Sequence, residues 1–299
     1  PHYPLRRQRQ MCIRDSSCEE LFAQAALAGI EAVAIVDRNS LAGVVRAHEA
    51  AKTTGVRLIV GCRLDLADGT SVLVYPTDRS AYSRLCRLLS LGKKRGGKAK
   101  CILEWPDVVA YGDGLIVALV PDLADDECEF RLRRLRDAFG DRAYLALTLR
   151  RRPNDQLRLH ELWNMATQMR VPTVVTNDVL FHEPARRILQ DVVTCIRHNV
   201  TIDTLGDRRE RHADRYIKPP DEMHRLFSRY PEALARTLQI ADRCRFSLDE
   251  LAYQYPEERD DPALTPQQTL AKLTWEGATE RYPEGVPESV TAALQHELR

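Results

Sequence analysis

Ala32-Val33-Ala34-Ile35-Val36-Asp37 is an unbroken apolar run that closes on a carboxylate, and Val171-Pro172-Thr173-Val174-Val175-Thr176-Asn177-Asp178 repeats the pattern. Runs of β-branched residues this long read as strands buried on both faces, the signature of a mainly parallel sheet flanked by helices. A carboxylate at the carboxyl end of such a strand stands where α/β folds gather metals and catalytic groups.

Around these two runs the periodicity alternates. Helical spacing is expected at about 18–29, opened by the capping-box pair Ser17 and Glu20, and again at about 41–53 and 79–91. Strands at about 57–66 and 71–75 flank the turn Asp68-Gly69, a hairpin signal. Then come strand 114–120, helix 127–138, strand 143–149, helix 155–169, strand 173–177 and helix 184–197. Strands separated by helical stretches of this kind mean βαβ units. After about residue 200 no convincing strand remains. Helices at about 220–228, 231–243, 266–280 and 287–298 are separated by proline joints, which places a domain break near 200–215.

The 44 basic and 43 acidic residues of this 299-residue chain nearly cancel, so no net field draws it to nucleic acid or membrane, although local basic patches remain open. No apolar stretch reaches the roughly 20 residues of a membrane span, and the start has no secretory-signal pattern. Eight cysteines without a C-x-x-C pair read as reduced thiols, and the expected location is cytoplasmic. Residues 1–16, rich in arginine and without period, read as disordered or foreign sequence, the alternative being a basic arm on nucleic acid.

Three constellations carry potential chemistry. Asp37 and Asp178 share the strand-end setting, but a metal hydrolase needs several carboxylates and imidazoles on one rim. His48 and His160 fall in helices, His198, His212 and His224 lie beyond the sheet, and only His182 is near a strand end. The run Lys93-Lys94-Arg95-Gly96-Gly97-Lys98-Ala99-Lys100 reads as a mobile basic loop, either solvated or in contact with a phosphate backbone through Lys93, Lys94, Arg95 and Lys98. It lacks the aromatics of a single-strand stacking platform. Arg208 to Arg215 reads as a charged connector, and Asp260-Asp261 lies in a turn without strand context.

The order of Ala34-Ile35-Val36-Asp37, Leu41-Ala42-Gly43-Val44, Leu58-Ile59-Val60-Gly61-Cys62-Arg63 and Thr176-Asn177-Asp178 resembles the PHP (polymerase and histidinol phosphatase) domain of bacterial family C DNA polymerases. The segments Leu189–Arg197, Tyr216–Met223 and Ala241–Leu251 fit as well, and together they are most similar to the error-prone, damage-inducible branch related to the polymerase III alpha subunit. The resemblance runs from about 17 to 298. It implies a distorted (β/α)7 barrel, here lacking its first strand, at 17–205, and the helical start of a polymerase core at 206–299.

The resemblance also implies which ligands are replaced. A metal-loaded PHP domain opens with a His-x-His motif, ahead of where the matching sequence begins. Its Asp-His pair is Asp37-Arg38, the glutamate of its Gly-x-Glu motif is Arg63, and its Asp-x-His is Asp178-Val179-Leu180. A guanidinium cannot coordinate a metal and repels one, so Asp37 and Asp178 are expected to be remnants of a ligand set. The function implied is that of the amino-terminal fragment of an error-prone DNA polymerase. The fragment is expected to be inactive, with no cofactor and without the palm carboxylates, which in the family lie further along. The full-length protein is expected to use Mg2+, to meet DNA and other translesion-synthesis proteins, and to have no membrane partner. A metal-dependent phosphoesterase or 3′–5′ exonuclease, and a non-catalytic interaction module, are the alternatives. A sheet missing a strand is expected to leave unpaired edges, including 31–36, and an aggregation-prone chain.

Overall fold

The computed structural model describes residues 16–98, 100–209, 212–251 and 263–298. The chain falls into two compact units, residues 1–250 and 251–299. Most of residues 1–16, the basic arm or foreign stretch of the sequence reading, lies outside the described residues, as do Asp260 and Asp261.

The first unit starts with α1 (Cys18–Leu27), and its capping box forms: the Glu20 amide donates to Ser17 Oγ at 3.2 Å and the Ser17 amide to Glu20 Oε2 at 2.8 Å. There follow β1 (Ala32–Arg38), α2 (Val44–Thr54), β2 (Arg57–Asp65), β3 (Ser71–Pro76) and α3 (Arg79–Gly96). Next are α4 (Trp105–Ala110), β4 (Leu115–Leu119), α5 (Asp126–Phe139), β5 (Ala143–Leu147), α6 (Asp155–Gln168) and β6 (Thr173–Val175). The unit ends with α7 (Arg187–His198), α8 (Pro220–Leu226) and α9 (Pro231–Arg243).

The six strands form one sheet in chain order, β1-β2-β3-β4-β5-β6. The β1–β2, β4–β5 and β5–β6 pairs are parallel, and β3 runs antiparallel to both neighbours. The expected hairpin forms around Gly69, whose φ of +80° a side chain would resist, and the Thr70 amide donates to Asp68 Oδ1 at 2.9 Å. The architecture is thus the α/β fold expected from the sequence, with β1 at one edge of the described sheet.

Strand alternation sorts the side chains into two layers. Leu64, Val72, Val74, Val117, Leu145 and Val175 face outward to Leu85 and Leu88 of α3, Leu132 and Leu135 of α5, and Leu159 and Leu162 of α6. Val36, Ile59, Leu73, Tyr75, Ile116, Ala118, Tyr144 and Val174, from all six strands, face the other way and meet Ile240, Ala241 and Cys244. The sheet therefore curls around the carboxyl end of α9, which fills its interior.

This packing places α9 inside the first unit, so the compact body extends through Glu250, past the change of character near 200–215. Arg57 of β2 fixes the arrangement by donating to the carbonyls of Ala241 (2.9 Å) and Cys244. The second unit holds α10 (Pro266–Arg281) and α11 (Glu288–Glu297). Among its described residues only Thr269 and Ala278 are buried, while Leu270 and Leu273 are exposed.

One local expectation is corrected. The sequence reading ends a helix at 91 and makes Lys93 to Lys100 a mobile loop, but α3 continues to Gly96 and holds Lys93, Lys94 and Arg95 in its last turn. Three cations there complement the helix dipole, and Gly97 takes the left-handed φ of +69° that ends the helix.

Candidate functional site

Because β3 alone is reversed, the carboxyl ends of the other five strands and the start of β3 share one rim. The residues singled out from the sequence sit on it: Asp37 and Arg38 close β1, Arg63 lies near the end of β2, and Asp178 follows β6. The rim is a network of guanidinium–carboxylate contacts.

Asp37 Oδ2 accepts the Gly43 amide at 2.8 Å and so holds the turn that leads into α2. Arg38 is ion-paired to Asp65, an acid the sequence reading passed over. Arg63, mostly buried, donates through Nε to Ser71 Oγ at 2.8 Å and to Asp65 Oδ1 at 3.3 Å. Its Nη1 is 3.6 Å from Asp178 Oδ1. Asp178 Oδ2 in turn accepts from Arg215 Nη2 at 2.6 Å, and the Asp178 carbonyl accepts from Arg215 Nε at 3.0 Å.

Two rim residues hold left-handed backbone conformations, Asn39 and Asp178, each with φ of +47°. Asn and Asp tolerate this region better than most residues, at a modest cost that surrounding contacts must offset. For Asn39 those contacts are visible: its amide side chain exchanges two hydrogen bonds with the Asp65 backbone, at 3.2 and 3.0 Å. Burial pushes the Asp65 carboxyl up, but the Ser71 hydroxyl with Arg38 and Arg63 outweighs it and holds the group below its usual value.

The segment after α7 is more than the charged connector read from the sequence. His212 Nδ1 accepts from the Asp214 amide at 3.3 Å, so its proton sits on Nε2, which is 3.0 Å from the Arg150 carbonyl beyond β5. Asp214 pairs with Arg151 at 2.7 Å. Lys218, its side chain fully buried, donates to the Asp214 carbonyl, reaches Asn177 Oδ1 at 3.3 Å and stands 4.1 Å from the Tyr216 ring centroid. Leu180 contributes backbone, its amide donating to the Arg215 carbonyl at 2.9 Å.

The other candidates are engaged elsewhere. His182 Nδ1 is 2.7 Å from Ser16 Oγ, which also accepts the His182 amide at 2.9 Å. His48 Nε2 is 3.1 Å from Asp249 Oδ1. Arg95 forms a two-point pair with Asp107, whereas Lys93, Lys94 and Lys98 are exposed.

A PHP-type metal centre needs converging imidazoles and carboxylates, and this donor set does not fit one. Among the described residues no group of three His, Cys, Asp or Glu could hold a metal ion. Two guanidinium groups grip Asp178, and guanidinium has no lone pair to offer.

Comparison with known proteins relates the chain to a domain family and to longer polypeptides. Residues 5–151 match the PHP domain family. The chain is 70% identical over 283 residues to error-prone DNA polymerase 1 of Agrobacterium fabrum (strain C58), covering 95% of this chain and 26% of that protein. It is 66% identical over 283 residues to error-prone DNA polymerase 2 of Rhizobium meliloti (strain 1021), with the same coverage. The chain thus spans about a quarter of the length of the curated relatives it matches. A solved structure of a putative metal-dependent phosphoesterase from Bifidobacterium adolescentis is 15% identical with a TM-score of 0.42, over 55% of this chain and 82% of that one.

Proposed function

We propose that this chain, which carries a PHP domain and is a close sequence relative of the error-prone DNA polymerases, is the amino-terminal part of such a polymerase and serves it as a metal-free scaffold. The observation that carries this reading is the position of Arg63. It stands between Asp65 and Asp178 on the rim, where its charge ties carboxylates that would otherwise repel one another. Arg38 and Arg215 complete the neutralisation from either side.

In this reading nucleotide addition belongs to the rest of the parent protein. That protein extends a primer across damaged template with Mg2+, and DNA together with other translesion-synthesis proteins are its partners. Lys93, Lys94 and Lys98, exposed at the end of α3, are candidate phosphate-backbone contacts, whereas Arg95 is held by Asp107. The site of action is the cytoplasm.

The test is primer extension on intact and abasic templates, run with the parent-length protein and with the 299-residue chain. Extension past the lesion by the parent alone is expected. Release of nucleotides from a 3′-labelled strand by the 299-residue chain, or orthophosphate from a phosphoester, would overturn the scaffold reading.

A further inference from the structure

The helix α7 presents apolar side chains outward. Its inward side is mixed: Asp191 is buried and accepts from Arg187 Nη2 and Arg209 Nε, each at 3.2 Å, and Thr194 and Cys195 are buried beside it. Its outward side is apolar, with Ile188 and Ile196 each 70% exposed and Leu189 and Val192 about two fifths exposed. Residues 188, 192 and 196 are one turn apart and Leu189 lies beside them, so the side chains make a single stripe about 12 Å long. Ile202, just past the helix, is also exposed. An amphipathic helix of a globular protein normally points its apolar stripe inward, and a stripe pointing outward marks a contact surface.

We infer that this stripe is covered by the part of the parent polypeptide that the relatives have and this chain lacks. The inference rests on the proposed reading of the chain as a piece of a longer polymerase. About three quarters of each relative lies outside the matched region, so ample polypeptide is available to cover it. The size of the stripe selects the same occupant. Its four side chains expose on the order of 400 Å², about half of the 800 Å² per partner that a stable contact between separate chains takes. A contact within one polypeptide needs less, because tethering raises the effective concentration. Reversing the stripe to the inside is blocked by the Asp191 ion pairs, so the apolar face stays presented.

The test is thiol labelling at the stripe. Val192→Cys is made in the 299-residue chain and in the parent-length protein, and maleimide addition to the peptide containing residue 192 is followed by mass spectrometry. Fast addition in the short chain and at least about tenfold slower addition in the parent is expected, since an interface core excludes solvent. Equal rates in the two proteins overturn the inference. So does slow addition already in the short chain, which assigns the stripe to residues 251–299 or to a second copy. As a second readout, Ile188→Glu with Ile196→Glu is expected to leave the melting temperature of the short chain unchanged and to open the parent to limited proteolysis. Unchanged proteolysis of the parent overturns the inference. Primer extension by the unmodified parent reports on the polymerase reading separately, so the two failures are distinguishable.

Discussion

Arg63 Nη1 lies 3.6 Å from Asp178 Oδ1, although Arg63 is in β2 and Asp178 lies just past β6, four places away in the sheet. In a flat sheet four strand spacings are about 19 Å. The ion pair is therefore a measure of how far the sheet has curled, and it ties one side of the rim to the other.

The pair is expected to matter for stability. Arg63→Ala leaves Asp65 and Asp178 short of a partner, and losing a charge-assisted contact at a mostly buried arginine costs about 1–3 kcal/mol. A double-mutant cycle with Asp178→Ala, read by urea unfolding, should give a coupling of about 0.5–1.5 kcal/mol. Strict additivity would show that the two groups do not interact in solution.

Metal should have no part in the fold. Zinc or manganese added in excess is expected to leave the melting temperature unchanged, because a ligand stabilises only what it binds in the native state. Mass-spectrometric metal analysis after dialysis should find no stoichiometric zinc or manganese. A full equivalent retained would contradict the donor-set argument.

Acid sensitivity has a local source at the β2–β3 turn. Burial pushes the Asp68 carboxyl up, but Arg134 and Thr70 outweigh it and hold the group at about 2. A carboxyl whose folded pKa lies below its unfolded value of about 3.9 gives stability that is present above that value and is lost as pH falls towards 2. Asp68→Asn should flatten this part of the stability profile. Asp68 is nearly half exposed, so the difference should stay below about 1 kcal/mol. Identical profiles between pH 4 and 2 would remove Asp68 as the source.

Gly92 tests packing against propensity. Alanine is favoured over glycine in a helix interior by about 1 kcal/mol. At this position, however, a Cβ would stand 2.6 Å from Cys101 Sγ and 2.7 Å from Leu103 Cδ2. Overpacking of this kind costs about 1–3 kcal/mol, so Gly92→Ala should lower the urea midpoint. A raised midpoint would mean that the 101–103 segment yields freely.

A piece ending at residue 205 should not fold as a unit, whereas one ending at 250 should. The first lacks Ile240 and Cys244, which fill the inside of the sheet. Near-ultraviolet circular dichroism and urea unfolding distinguish the two. A cooperative transition in the shorter piece would show that α9 is dispensable.

Much of the fold could be read from local signals. The apolar runs ending at Asp37 and Asp178, the Ser17 and Glu20 cap and the Asp68-Gly69 turn depend on neighbouring residues, and all appear where expected. The misses have physical causes. α4 is short and opens on Trp105-Pro106, where proline reads as a breaker although it suits a first turn. The end of α3 was misread because Gly96 and Gly97 suggest a loop, while the contacts of Gly92 with Cys101 and Leu103 are visible only after folding. Of the rim, the loss of ligands at Arg38, Arg63 and Leu180 was legible residue by residue. Their replacement was not: Arg215 reaches Asp178 from 37 positions away, through a segment with no period to mark its destination.

Chain order and spatial order coincide in this sheet, with a consequence for synthesis. As the polypeptide leaves the ribosome, each new strand finds its neighbour already made, and pairing can proceed without waiting for distant sequence. The interior is different, because α9 is translated after the last strand. Until it emerges, Ile59, Leu73, Ile116 and Val174 line a hollow with nothing to close it. The nascent domain thus passes through a stage in which its outer layer is assembled and its centre is wet, and that stage is when a chaperone would have the most to hold.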